Sequence, residues 1–156
     1  MLSDQLDRLT RGFVIIALAV IVSLFLVEVV ARNILRSSIT WVDEVSVTFL
    51  GTWFVFTGAA HAMKVGMLIS FDYLSQRVPR RVMVPLFVTS QSLVLVFLAV
   101  IIFYGVRLSA LTMAQPSAAL QLPMGVAYLG VVAGCTLMFV HCVAAIAQKL
   151  AGGMPE

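Results

Sequence analysis

The chain has 156 residues, 62% of them hydrophobic and only 11% charged, less than half the ~25% charged share of an ordinary soluble domain. That excludes a water-soluble globule, and unbroken apolar runs of about 19 residues or more exclude a β-barrel, whose strands alternate over about 10. The net charge of +3 does not point to nucleic acid, because the basic residues lie between the apolar runs and set topology. We expect an all-α integral membrane protein, since backbone in lipid must satisfy its own hydrogen bonds.

In chain order, four transmembrane helices are expected at about 12–31, 41–63, 82–106 and 124–150, forming one membrane domain over 1–156. After the short polar stretch to Arg11, helix one is long enough to cross a bilayer core of about 30 Å, and no small-x-small cleavage pattern closes it. Glu28 stands four residues before Arg32, so the two can pair where that end reaches the headgroups. The other reading makes Glu28 an ion- or proton-binding carboxylate.

Helix two opens on Thr40-Trp41-Val42-Asp43-Glu44. Acids suit the positive end of a helix dipole, and Thr40 is a plausible cap. Two acids beside Trp41, with no basic neighbour for several residues, also suit a partner cation from another protein. Trp53, Gly58, Ala59 and Ala60 follow, small residues that let membrane helices approach closely. Ser46, Thr48, Thr52 and Thr57 add hydroxyls that can bond their own carbonyls or a neighbouring helix. His61, near the cytoplasmic end, reads as a hydrogen-bonded interfacial residue or, in the sharper reading, a proton relay.

Beyond Lys64 and Gly66, the segment 67–78 places Met67, Phe71, Leu74 and Val78 at helical steps, which predicts a short amphipathic helix along the membrane surface or a partner. Pro79-Arg80-Arg81 leads into helix three, with Pro85 in its first turn, where a missing N–H matters little. Arg107 to Leu122 reads as a connector hugging the far membrane surface, Pro116 and Pro123 bracketing Ser117-Ala118-Ala119-Leu120. Gly125, Gly130 and Gly134 give helix four a packed face. Cys135 and Cys142 read as small apolar packing residues.

Counting basic residues in the connectors, one side receives Arg8, Arg11, Lys64, Arg77, Arg80, Arg81 and Lys149, the other Arg32, Arg36 and Arg107. The bias puts both termini in the cytoplasm and Asp43-Glu44 on the outer face. No phosphate-binding Gly-rich loop, His-x-x-x-His, Cys-x-x-Cys or Gly-x-Ser-x-Gly occurs. We therefore expect no catalytic residues, no cofactor and no metal site. With charge only near the ends of four mostly uninterrupted helices, the chain reads as an accessory rather than a carrier, since carriers commonly build their sites from broken helices.

The block from Thr40 to Asp72 resembles the small membrane subunit, the Q-type subunit, of tripartite ATP-independent periplasmic (TRAP) transporters. That family has four membrane helices and a pattern close to Trp-x-Glu-Glu entering helix two, a Trp about nine residues on, then Gly-Ala-Ala, a basic residue, Gly-His-Ile and an Asp. Trp41, Asp43, Glu44, Trp53, Gly58, Ala59, Ala60, Lys64, Gly66, Ile69 and Asp72 match it. So do Pro79 with its two arginines, and Leu120-x-Leu-Pro123 ahead of Tyr128. The likeness runs from about Arg32 to Tyr128. Asp43 stands for the usual first Glu and Met67 for the common His, so no histidine role is carried over to that turn.

The resemblance implies a non-catalytic subunit in a bacterial inner membrane, scaffolding a large membrane subunit for sodium-coupled uptake of an organic acid that a periplasmic solute-binding protein delivers. Trp41, Asp43, Glu44, Trp53, Gly58, Lys64, Phe71 and Asp72 are the expected partner interface. The rival reading is a self-sufficient homo-oligomeric transporter or channel using Glu28 or His61. An adjacent gene for a long membrane protein and one for a secreted receptor would separate the two.

Overall fold

The computed structural model describes residues 2–36, 39–64 and 80–150. Four helices in it are long and apolar enough to cross a membrane. Helix α1, Leu2–Val30, runs into a π-helical turn at Ala31–Leu35 that ends on Arg36 in the left-handed conformation. Helix α2 spans Thr40–Lys64 and is π-helical over Glu44–Gly51. Helix α3 is Arg80–Thr112, and α4 is Gly125–Leu150. The expected amphipathic segment 67–78, with Phe71 and Asp72, lies outside the described residues.

Several boundaries differ from the sequence expectation. Helix α1 begins ahead of Gly12 because nothing between Leu2 and Arg11 breaks a helix. Helix α3 begins at Arg80, so Pro85 lies inside it rather than in its first turn, and the Arg81 carbonyl loses its usual donor four residues on. At its other end α3 runs through Arg107 to Thr112, a stretch without Gly or Pro, where the Thr112 hydroxyl donates to the Leu108 carbonyl at 2.8 Å. The expected connector is shorter by that much. Thr40 caps nothing: Ile39 holds the N-cap position of α2, without a side-chain cap bond. Helix two is not an uninterrupted α-helix.

The helices pack in the spatial order α1, α2, α4, α3, with α4 between α2 and α3. Lipid gives helices no hydrophobic reason to associate, so contact depends on close fit and polar bonds. Close fit is supplied by α4. A Cβ on Gly130 would lie 2.8 Å from the Trp53 ring, and one on Gly134 would collide with the backbone of Phe56. The seam of α3 and α4 is built on Leu98, Cys135 and Cys142, and the Cys142 thiol donates to Gln91 Oε1 at 3.0 Å. The end helices α1 and α3 stay apolar on the outside, with Ile16, Leu26, Leu93 and Leu111 more than half exposed.

At one end of the bundle, α3 and α4 are joined by a folded loop. Pro116 and Pro123, the two bracketing prolines, pair as an isolated bridge. The Ser117 N–H donates to the Leu122 carbonyl at 2.8 Å and the Met124 N–H to the Gln115 carbonyl at 3.0 Å. Gln121 closes the turn at φ 57°. Below it, the buried Ser109 hydroxyl ties α3 to the start of α4 through the Gly125 carbonyl at 2.8 Å.

Candidate functional site

The polar groups gather at this loop end, around the start of α2. Glu44 is buried, and its Oε2 accepts from the Ala119 N–H at 2.7 Å and the Leu120 N–H at 3.0 Å. Ser117 lies beside the same carboxylate, and its own Oγ accepts from the Leu122 N–H at 3.0 Å. The loop thus wraps successive backbone donors around an anion, the arrangement of an anion-binding nest. Glu44 Oε1 and Ser46 Oγ are buried without a hydrogen-bond partner among the described residues.

Asp43, next in the chain, turns to the other side. Its side chain is within hydrogen-bonding reach of the Glu28 carboxylate on α1, and Arg32 Nη2 stands 3.3 Å from Glu28 Oε1. The pair that the Glu28–Arg32 spacing allows is made. Two carboxylates in contact repel unless a cation or a shared proton intervenes, and Arg32 is the cation beside Glu28. The adjacent acids therefore hold two different joints: Asp43 faces α1, and Glu44 faces the loop between α3 and α4.

The π-helical turn sets this geometry. Trp53, nine residues after Glu44, faces the start of α4 next to that loop, its Nε1 donating to the Val126 carbonyl at 3.0 Å. In an α-helix of 3.6 residues per turn, nine residues advance about 2.5 turns, placing the two side chains on opposite faces. Closure of i→i+5 bonds over Glu44–Gly51 widens the turn to about 4.4 residues, so the same nine make about two turns and share a face. Gly51 allows it: a Cβ there would lie 2.8 Å from the Ser46 carbonyl oxygen, which wider winding brings against it. The hydroxyls of Thr52 and Thr57 bond back to carbonyls of Thr48 and Trp53 in the same helix.

Of the other expected interface residues, Trp41 is exposed at the loop end and Gly58 is half-buried, facing α1, where a Cβ in its place would lie 4.0 Å from Val14. Lys64 and His61 are half-buried at the opposite end of α2. Sequence reasoning passed over Gln91 and His141, both buried within spans; a lone amide or imidazole inside an apolar run was the signal. It also missed the loop amides on Glu44, which no side-chain pattern announces. Among the described residues, no three His, Cys, Asp or Glu side chains gather as a metal site.

A family model described as "Tripartite ATP-independent periplasmic transporters, DctQ component" matches residues 21–152. No curated protein matches the chain.

Proposed function

The chain belongs to the family of DctQ components of tripartite ATP-independent periplasmic transporters, and from that premise we propose that it is the scaffold of its transporter's membrane part. It binds a large membrane subunit that carries the substrate and sodium sites, for uptake of an organic acid brought by a periplasmic solute receptor. The observation that supports this reading is the row of helices. Four helices stand side by side, and both end helices keep broad apolar outer faces, surfaces that lipid or a further helix must cover. The basic-residue bias supports an orientation with both termini on the cytoplasmic side and the pinned loop outside, and in this reading the membrane is a bacterial inner membrane.

In this reading Trp41 and Asp43 meet the partner at the loop end and Lys64 at the other, Phe71 and Asp72 are further partner contacts, and Trp53, Glu44 and Gly58 act from inside, against α4, its loop and α1. Tagged protein should co-purify with a long membrane protein and a secreted receptor. If Asp43 meets a basic residue of the large subunit, truncating one side of a partly buried pair removes about 2–5 kcal/mol of association. Trp41→Ala with Asp43→Ala should then lower co-purification and uptake while the isolated subunit stays helical; unaltered yield removes the interface. The homo-oligomeric rival predicts uptake by this chain alone in proteoliposomes, lost in Glu28→Gln or His61→Ala.

A further inference from the structure

We infer that Arg107 is the headgroup seat of a bound anionic diacyl phospholipid, whose two chains lie in the apolar grooves on either side of the α3–α4 seam. Arg107 lines both grooves. One, of about 560 Å³, runs past Tyr104, Leu108, Ile101 and Tyr128. The other, of about 490 Å³, runs past Phe103, Val106, Ala99 and Phe139. Both volumes fall in the ~300–1,000 Å³ range of small-molecule sites, and the walls are almost wholly apolar.

Depth fits the same occupant. From Arg81 to Arg107 the helix rises about 39 Å, 26 residues at 1.5 Å each, more than the ~30 Å hydrocarbon core and close to the ~40–45 Å that includes the headgroups. Arg107 therefore stands at headgroup level at the loop end, while Ala99 lies about 12 Å deeper, among the acyl chains. Tyr104 and Tyr128, both exposed, sit where an aromatic belt is placed.

Charge selects an anion. The Arg107 guanidinium lies over the Phe103 ring, 5.7 Å from its centre, which keeps it on the helix surface between the grooves. It has no ion-pair partner among the described residues. A guanidinium donates to phosphate in a bidentate fashion, and among the described residues no acid lines either groove to offer a counterpart to the ammonium of a zwitterionic lipid. The inference rests on the four membrane spans and not on the transporter partners, so failure of the proposed function leaves it standing.

The test is native mass spectrometry of the whole chain released from nanodiscs of equal phosphatidylglycerol and phosphatidylcholine. Wild type should retain phosphatidylglycerol over phosphatidylcholine by about tenfold, which corresponds to about 1.4 kcal/mol of preference for the lipid without a headgroup cation. Arg107→Gln should abolish the preference, and Arg36→Gln, an exposed arginine at the same end, should keep it. Leu108→Trp, which fills one groove without touching charge, should lower retention of both lipids, helicity being unchanged throughout. Equal preference in Arg107→Gln and wild type, or equal loss in Arg36→Gln, overturns the site. So does a wild type without preference whose Arg107→Gln form loses co-purification with the large subunit, which would hand the arginine to a protein partner.

Discussion

Replacing Glu44 by alanine removes the acceptor of two loop amides, Ala119 N–H at 2.7 Å and Leu120 N–H at 3.0 Å. Hydrogen bonds to a charged group contribute about 1.5–3 kcal/mol each, so the pair contributes about 3–6. Against that, Glu44 Oε1 is buried without a partner among the described residues, an existing cost of about 1–3 kcal/mol that disappears with the carboxylate. The net loss should centre on about 2.5 kcal/mol, or roughly 60-fold in the equilibrium holding the loop down. Hydrogen exchange followed by mass spectrometry reads this directly. In Glu44→Ala the amides of Ala119 and Leu120 should lose protection by that factor, while the middle of α4 should not change. Asp43→Ala, which touches α1 and not the loop, should leave both amides protected. Fast exchange at Ala119 and Leu120 in the wild type, or equal loosening in Asp43→Ala, would refute the assignment of the two acids to separate joints.

Gly51→Ala puts a methyl 2.8 Å from the Ser46 carbonyl oxygen and should destabilise the π-helical winding by about 1–3 kcal/mol, seen as a lower Tm together with lost protection at Ala119 and Leu120. Gly134→Val drives a side chain into the backbone of Phe56 and should part α2 from α4; a variant that melts with the wild type would show that the close approach is not needed. Gln121 holds φ 57°, a conformation that costs an L-residue about 1–2 kcal/mol. Gln121→Gly should therefore raise Tm slightly, the gain reduced by glycine's greater unfolded-state entropy of about 0.5–1 kcal/mol.

The family block was legible because its residues stay close along the sequence, and part of the site was legible for a similar reason. Glu28 and Arg32 are four residues apart on α1, so their pairing follows from helix geometry alone. The division of labour between Asp43 and Glu44 was not legible. Two adjacent acids look equivalent in a sequence, and which one turns inward depends on what packs against each side of α2. The partners of Glu44 are backbone N–H groups some 75 residues away, and every residue except proline carries one.

From sequence alone came the number of spans, the membrane as solvent and the small residues of α4, because hydrocarbon leaves the backbone no alternative to helices and their length is set by bilayer thickness. Tertiary structure decided the winding of α2. An α- and a π-helical turn differ by less than one residue per turn and place no distinct demand on the apolar pattern where a helix is hydrophobic nearly all round. The contacts of Trp53 with α4 and of Glu44 with the loop select the wider turn, since they must fall on one face of the helix, and those contacts exist only once α4 and its loop are in place.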